Sequence, residues 1–150
     1  MKRLLIYIAV LAAALMVPLR RTDVGKLQPV ELVKLYKEEA TLIIETDTGD
    51  LGRGDTVDVA FENLEETTSG IVFLDTADFL LVSKEAISEV GALKGHLKKS
   101  VRLCFAEANI DPVEAAAFLS VHRPQVRLRD GESILKAQTL LKENGRLILR

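Results

Sequence analysis

The sequence predicts a single α/β domain with a mixed sheet and helices packed on it, preceded by a hydrophobic membrane segment. From residue 41 onward, strand-like and helix-like patterns alternate with connections of a few residues, which favours an α/β sandwich. The first two strand patterns form a hairpin and add antiparallel strands. A chain of 150 residues with 48% hydrophobic content has room for one core but hardly for two. We assign the domain to residues 29–150, after a linker at 22–28.

Residues 1–21 have the layout of an export signal or a signal anchor. Lys2 and Arg3 precede an uncharged run at residues 4–19, and two further arginines follow it. A helix of this run spans roughly 24 Å, against a hydrocarbon core of about 30 Å, and the flanking arginines extend its reach. The small residues 12–14 would suit a signal peptidase, but cleavage there would leave an apolar end. An uncleaved anchor is therefore favoured over a removed signal peptide.

The membrane segment also predicts where the domain lies. Basic residues early in the chain favour an N-terminus inside the cell. We therefore expect a single-pass protein held in the cell membrane by residues 4–19, with its C-terminal domain on the extracytoplasmic side.

The first half of the domain is predicted from turn, cap and strand signals. Glycines and aspartates favour a turn over Asp47–Asp55. Asp55 or Thr56 caps a helix that begins there, with Gly70 expected to close it in a left-handed cap. The patterns in this half predict strands at 29–38, 40–48, 71–75 and 79–83 and a second helix from Lys84, with the strand at 71–75 buried on both faces.

The second half is predicted in the same way. Asp111 caps a third helix that has Pro112 at its first position and Glu114 at capping-box spacing. The remaining patterns predict strands at 100–108, 125–129 and 146–150 and an amphipathic helix at 130–145.

Two short motifs raise the question of acid catalysis. Asp47-Thr48-Gly49 matches the triplet that carries the catalytic aspartate of aspartic proteases, and Asp75-Thr76-Ala77 is a near-copy. Such enzymes need two carboxylates that share a proton, and a third acid next to the first triplet, Asp50, would be repelled by a buried pair. The predicted helices also disagree with their nearly all-β fold. A hydrolase using Asp75 with Asp47 or Asp78 is therefore an alternative and not the leading hypothesis.

A second alternative is a small-ligand or calcium-binding module in the same turn. Asp47, Asp50 and Asp55 are the candidate metal ligands, although their spacing differs from that of an EF-hand loop. No Cys/His cluster has metal-ligand spacing, Cys104 lies in a predicted strand as a buried thiol, and His96 and His122 are expected at the surface or at helix ends. No cofactor is expected.

Charge is unevenly distributed but nearly balanced. Residues 31–89 carry 15 acidic and 4 basic side chains, whereas residues 122–150 carry 7 basic and 3 acidic ones. The formal net charge of -2 argues against a general nucleic-acid binder, so no nucleic acid is expected as a partner. The asymmetry would suit a protein or lipid surface, or it is a solvated acidic face with a basic tail.

The run from Gly52 to Ile87 has an order that resembles a known family. A glycine-rich turn leads into a helix with the pattern T-V-x-x-A-x-x-N-L, starting at Thr56, and a strand, a polar turn, a second strand and a helix follow. With the segment "SVRLCFAEANIDPVEAAAFL", it is similar to the N-terminal subdomain of the C subunit of Ger-type spore germinant receptors, over residues 52–120. Family members carry a lipid-modified cysteine directly after the signal, which is absent here, and two further subdomains, for which 150 residues leave no room.

The resemblance implies a stand-alone, membrane-anchored version of one such subdomain, from a spore-forming bacterium, without catalytic residues. We therefore expect a non-enzymatic domain that acts through an unidentified protein partner, in sporulation or germination. In this interpretation Asn63 bonds across to the turn at Asp75, and Thr76 helps to seat the strand end, so all three residues have structural roles.

Overall fold

The computed structural model describes residues 26–150, apart from the side chain of Glu132. The predicted α/β domain with a mixed sheet is confirmed for these residues. The predicted membrane segment at residues 4–19 lies outside them. Within residues 26–150, no helix has both the length and the apolar character needed to cross a membrane.

A seven-stranded mixed sheet forms the centre of the domain, in the order β4-β3-β2-β6-β7-β8-β9. Strands β2, β6, β7 and β8 are parallel, and each side of this block ends in antiparallel strands. The strands are β1 (Leu27–Pro29), β2 (Leu32–Glu38), β3 (Thr41–Thr46), β4 (Leu51–Gly54), β5 (Ile71–Phe73), β6 (Phe79–Val82), β7 (Arg102–Ala106), β8 (Thr139–Glu143) and β9 (Arg146–Leu149). We call the side on which β2, β6 and β7 begin the amino edge and the side on which they end the carboxyl edge.

Helices cover both faces of the sheet. The three α-helices are α1 (Val57–Thr67), α2 (Val90–Leu93) and α3 (Pro112–Val121), and 3-10 segments lie at Leu74–Thr76, Lys84–Glu89 and Leu128–Lys136. Alternate residues of β6 point to opposite faces, so Leu80 joins the core under α1 and α2, whereas Leu81 joins the core under α3. All four residues of β6 are buried, as expected for a central parallel strand.

Helix α1 packs unusually close to strand β4 because of two glycines. A Cβ atom on Gly52 would overlap the carbonyl oxygen of Ala60, and one on Gly54 would lie 2.6 Å from the nitrogen of Ala60. The predicted turn over Asp47–Asp55 therefore contains a strand, and these glycines serve close packing instead of loop freedom. Thr56 caps the helix by accepting a hydrogen bond from the Val59 nitrogen at 3.3 Å, as predicted.

Several predictions for the first half of the domain differ from the structure. Ile71–Phe73 is not a strand of the main sheet: it pairs with β1 in a separate two-stranded sheet, and both end residues are exposed. Strand β1 lies in the predicted linker at 22–28 and extends one residue beyond it. Gly70 does not close α1 in a left-handed cap: Thr68 is the C-cap residue, and Gly70 is not among the glycines at positive φ. Gly70 instead lies close to the Lys26 carbonyl oxygen, which a Cβ atom would approach to 2.8 Å.

The C-terminal third also differs from the prediction. Residues 125–129 make only an isolated antiparallel bridge between Arg102 and Arg127. The predicted helix at 130–145 is a 3-10 segment followed by strand β8, which turns into β9 through Asn144 and Gly145, both at positive φ. An Asn-Gly pair is the usual signal for such a hairpin, and here it outweighs the helical periodicity before it.

Candidate functional site

The two Asp-Thr triplets lie on either side of the segment that connects β1 to β2. The Asp47 carboxylate accepts hydrogen bonds from the backbone nitrogens of Glu31, at 3.1 Å, and Leu32, at 3.2 Å. The Thr76 hydroxyl accepts one from the Val30 nitrogen at 3.0 Å. Both triplets thus supply polar groups to backbone that the sheet would otherwise leave without partners.

The residues that follow the second triplet add further hydrogen bonds at the amino edge. The Glu31 carbonyl oxygen accepts hydrogen bonds from the nitrogens of Asp78, at 2.8 Å, and Phe79. Asp75 is exposed, and Asp78 forms an ion pair with Lys98 at 2.7 Å. Within residues 26–150, no hydrogen bond joins Asp47 to Asp75 or Asp78, so the carboxylates of the hydrolase hypothesis do not form a hydrogen-bonded pair.

The three candidate metal ligands are not brought together. Asp47 and Asp50 lie in the turn before β4, and Asp55 follows β4 at its other end. A four-residue strand separates the two ends by roughly 13 Å. Asp50 accepts a hydrogen bond from the Thr48 hydroxyl at 2.7 Å. In the described part of the chain, no group of three or more His, Cys, Asp or Glu residues is arranged to hold a metal ion.

Asn63 acts on strand β4 and not on the predicted turn at Asp75. Its Oδ1 atom accepts a hydrogen bond from the Arg53 nitrogen at 2.9 Å, and one turn further on the Thr67 hydroxyl donates to the Leu51 carbonyl oxygen at 3.1 Å. Strand β4 is an edge strand, so its outer backbone groups would otherwise be open to another chain. The two side chains of α1 therefore close this edge of the sheet.

A buried lysine fixes the loop that leads into α3. Lys34 is 4% exposed, and its Nζ atom donates to the carbonyl oxygens of Ala108, at 2.6 Å, and Ile110, at 2.7 Å, and pairs with Glu45 at 3.1 Å. An ammonium group has three donors, and here all three are used. The lysine thus fixes the position of the start of α3 on the sheet.

A cleft of about 410 Å³ opens at the carboxyl edge. Its walls carry two lysines and two glutamates, together with apolar side chains from β7 and β8, and its charged members are Lys37, Lys84, Glu85 and Glu107. Open α/β sheets bind ligands at this edge, and the volume is within the range of small-molecule sites. The position and lining make it a candidate site for a small polar ligand.

The outward face of α3 is a second candidate surface. Pro112, Ala115, Ala116 and Leu119 of this helix are buried against the sheet. On the opposite face, Val113 is 58% exposed and Val121 75% exposed, with Ala117 exposed between them. Residues at this spacing form one stripe along a helix, about 12 Å long here. We call Val113, Ala117 and Val121 the α3 stripe.

The α3 stripe has a polar border. Glu114 forms an ion pair with Lys142 at 2.6 Å on one side, and Ser120 lies on the other. Near the end of the helix, the rings of Phe118 and His122 are in contact, with centroids 4.4 Å apart. Sequence reasoning identified the helix but missed this surface, although "PVEAAAFLSV" is apolar apart from Glu114 and Ser120, and a helix of that kind is normally covered on most sides.

The remaining reactive side chains have structural surroundings. Cys104 is fully buried under α3, and burial raises the pKa of its thiol to about 12, so the thiolate that a nucleophile requires is suppressed. His96 stacks on Phe61, with ring centroids 4.3 Å apart, and lies 2.7 Å from a carboxylate oxygen of Asp58. His96 therefore joins the segment after α2 to α1.

No protein-family model matches this chain, and no curated protein or solved structure matches it either. What the fold and the two surfaces define is an α/β domain with one polar cleft and one exposed apolar helix face.

Proposed function

We propose that this chain is a non-enzymatic, membrane-tethered α/β domain that acts on the extracytoplasmic side through contact with another protein. The single observation that carries the proposal is the α3 stripe, an apolar row on the outward face of a helix whose inner face is already buried. Isolated exposed valines are ordinary, but a row on one face with a charged pair at its border has the layout of a contact surface.

The geometry of α3 suits this role. The helix is held by its Asp111 cap, which accepts from the Glu114 nitrogen at 3.1 Å, and by the loop that Lys34 fixes. A partner would therefore meet a preformed surface and would not have to order a helix. Residues at i, i+4 and i+8 are the anchors by which a helix lies in an apolar groove, so a grooved partner is the expected one.

The non-enzymatic part of the proposal rests on the surroundings of the candidate groups. The Asp47 carboxylate is bonded to backbone donors, and the Cys104 thiol is buried with a raised pKa. Asp75 stands alone at the surface. These surroundings support structural roles for the three groups in the proposal.

The biological setting is proposed from the sequence resemblance. Similarity over residues 52–120 to a subdomain of Ger-type germinant receptor C subunits suggests a role in sporulation or germination, with residues 4–19 as the anchor. Chromosomal neighbours that belong to sporulation would support this setting, whereas a conserved neighbourhood of unrelated metabolic genes would count against it.

The contact surface can be tested by site-specific photo-crosslinking of the full chain in its native cells. A probe at Val121 should give a discrete adduct with a second protein, whereas the same probe at Glu62, on the outward face of α1, should give none. Val113→Lys should remove the Val121 adduct without lowering the amount of folded protein. Equal adducts at both positions, or none at either, would reject the α3 stripe as the contact surface.

The tether can be tested separately. The full chain should remain with the membrane after alkaline extraction, and protease added outside should digest the domain. A chain lacking residues 1–21 should be recovered as a soluble, folded protein. Recovery of that shorter chain only as inclusion bodies would argue against a tether joined to an independent domain.

A second candidate function is small-molecule binding, which the carboxyl-edge cleft favours over the Asp47–Asp55 turn. Lysines and glutamates on its walls would match a zwitterion, so free amino acids are the first probes. Stabilisation of the chain by one amino acid, lost in Lys84→Met, would support this candidate. Stabilisation that survives Lys84→Met would place the ligand elsewhere.

A further inference from the structure

Three arginines meet in a small cavity at the amino edge, on the side of the sheet opposite to the carboxyl-edge cleft. The cavity has a volume of about 240 Å³ and is lined by Arg102, Arg123 and Arg127, with Ser100, Phe79 and Asp78 completing its walls. Arg102 begins β7, Arg123 follows α3, and Arg127 precedes the last 3-10 segment. Residues far apart in the sequence thus bring three positive charges to one place. We call it the arginine pocket.

Two of these arginines are held directly opposite each other. Arg102 and Arg127 form an isolated antiparallel bridge, flanked by hydrogen bonds from the Leu103 nitrogen to Val126 and from the Leu128 nitrogen to Val101, each 2.8 Å long. This pattern makes them a non-hydrogen-bonded pair, the type in which side chains approach most closely. Like charges directly opposite each other destabilise such a pair. The Arg102–Arg127 pair therefore introduces a charge repulsion that a pair of neutral residues would not have.

The carboxylates of Asp78 and Asp130 have partners other than the guanidinium groups of these arginines. Among the described side chains, no carboxylate forms an ion pair with any of the three guanidinium groups. Asp78, the acidic residue of the lining, pairs with Lys98 at 2.7 Å. The Asp130 carboxylate accepts a hydrogen bond from the Arg127 backbone nitrogen, also at 2.7 Å. Arg102 donates one bond, to the Pro124 carbonyl oxygen at 2.7 Å, which fixes its position and leaves its other donors for a ligand.

We propose that the arginine pocket is a binding site for a phosphate group. A phosphate offers several strong acceptor oxygens and up to two negative charges, which match guanidinium forks that approach from different elements. The Ser100 hydroxyl adds a neutral donor, and the buried Phe79 forms an apolar wall. The volume lies below the usual range for whole drug-sized ligands, so the site takes a phosphorylated headgroup or a small phosphate ester.

The position of the pocket suggests where such a phosphate comes from. The Arg102 nitrogen donates to the Asp78 carbonyl oxygen at 2.8 Å, and the Asp78 nitrogen donates to Glu31, which follows β1. Glu31, five residues after the first described residue, therefore lies at the same edge of the sheet as the pocket. With a tether at residues 4–19, this edge would be the one nearest the membrane, so an anionic phospholipid headgroup is one source and a free phosphate ester the other. The lipid source rests on the proposed tether, whereas the phosphate site itself does not.

The test uses the full chain in a nonionic detergent, with inorganic phosphate as the probe and thermal unfolding as the measurement. Phosphate should raise the melting temperature of the wild-type chain, and sodium chloride at equal ionic strength should not. Arg127→Gln should bind phosphate roughly tenfold to a hundredfold more weakly, as expected for the loss of a charge-assisted contact. Arg146→Gln, which changes the net charge equally but lies in β9, should bind phosphate like the wild type.

The variant also has a signature that a purely structural arginine would not give. Without phosphate, Arg127→Gln should melt at or above the wild-type temperature, because it removes the repulsion with Arg102. A melting temperature below that of the wild type in phosphate-free buffer, together with an unchanged phosphate response, would overturn the proposal. No phosphate-induced shift in the wild type would overturn it as well.

A second arm separates the two sources. The full chain is placed in phosphatidylcholine nanodiscs with or without phosphatidylglycerol. A rise in melting temperature with phosphatidylglycerol that Arg127→Gln abolishes would assign the site to a lipid headgroup. A phosphate response in detergent without any effect of phosphatidylglycerol would assign it to a free phosphate ester. A chain that fails to enter the nanodiscs would contradict the tether and leave the detergent result to decide the phosphate site.

Discussion

The helices α1 and α3 cover opposite faces of one sheet and are built alike, but their outward faces differ. They have 11 and 10 residues, and each begins with a side-chain cap, Thr56 in α1 and Asp111 in α3. The outward face of α1 carries acidic residues, among them Asp58 and Glu62, whereas that of α3 carries the apolar α3 stripe.

The inner and the outer residues of these helices have different roles. The inner residues of both helices fix the place where each packs. The outer residues differ: those of α1 are largely acidic, whereas those of α3 include the exposed apolar stripe that the proposed partner would cover. Neither helix has a basic residue in its last turn, so compensation of the helix dipole does not distinguish them.

The largest effect is expected at the contact of α1 with β4. Gly52→Ala would place a Cβ atom against the Ala60 carbonyl oxygen and 2.8 Å from the Leu64 nitrogen, and these backbone atoms cannot move independently of the helix. We expect a loss of about 3 kcal/mol or more in the free energy of unfolding, measured by urea denaturation. Gly91→Ala is the matched control, because its Cβ would meet open space in α2, and it should stabilise by about 0.5 kcal/mol. Equal effects of the two changes would show that α1 does not lie this close to β4.

The next largest effect is expected under α3. Lys34→Met keeps the apolar stem but leaves the Ala108 and Ile110 carbonyl oxygens and the Glu45 carboxylate without their donor. The expected loss in unfolding free energy is about 2 to 3 kcal/mol. Lys37→Met, which breaks a more exposed pair with Glu89, should cost at most about 1 kcal/mol.

Cys104 provides a local measurement of the same change. It is the single cysteine of the sequence and is buried under α3, where its pKa is raised to about 12. Alkylation at mild alkaline pH should be slow in the wild type, faster in Lys34→Met and unchanged in Lys37→Met. Faster alkylation in both variants would indicate global opening instead of loosening of α3.

The elements that depend on local signals were predictable from the sequence. The first hairpin, the helix caps at Thr56 and Asp111 and a strand at β6 follow from periodicity and capping chemistry, and all are present. Burial on both faces is predicted for residues 71–75 and is found in β6 instead. Strand β5 was misplaced because a short apolar run does not say which sheet it joins. The sequence of strand β8 predicts a helix because its apolar residues also fit helical spacing.

The candidate surfaces were less predictable because they depend on contacts between distant residues. Arg102 and Arg127 become neighbours only through a bridge, and Lys34 gives no sign in its strand pattern that it is buried against a loop 74 residues further on. The Asp-Thr triplets are visible in the sequence, where they raise the question of catalysis. In the structure, their contacts are with the connection between β1 and β2. By contrast, the apolar character of α3 was visible in the sequence.

A smaller effect is expected at the amino edge, which supports both faces of the sheet. Asp47→Ala removes the acceptor for the Glu31 and Leu32 nitrogens, and the expected cost is about 1 to 2 kcal/mol in unfolding free energy. Asp75→Ala, in the second triplet, should stay within about 0.5 kcal/mol of the wild type because this side chain is exposed. Hydrogen exchange should increase on both faces in Asp47→Ala. A change confined to one face would mean that the connection between β1 and β2 supports only that face.

The smallest effect on stability is expected at the α3 stripe, and it gives the sharpest test of the comparison. Val121→Lys places a cation in the last turn of a helix and removes an exposed apolar group, so the free energy of unfolding should be unchanged or higher by about 0.5 kcal/mol. Leu119→Ala, two residues earlier on the buried face, should instead cost about 2 kcal/mol or more. Val121→Lys that is stable in denaturation yet abolishes the adduct formed by a probe at Val113 would support the outward face of α3 as a contact surface. A loss of stability as large as that of Leu119→Ala would show that Val121 belongs to the core, and α1 and α3 would then differ less than their exposed residues suggest.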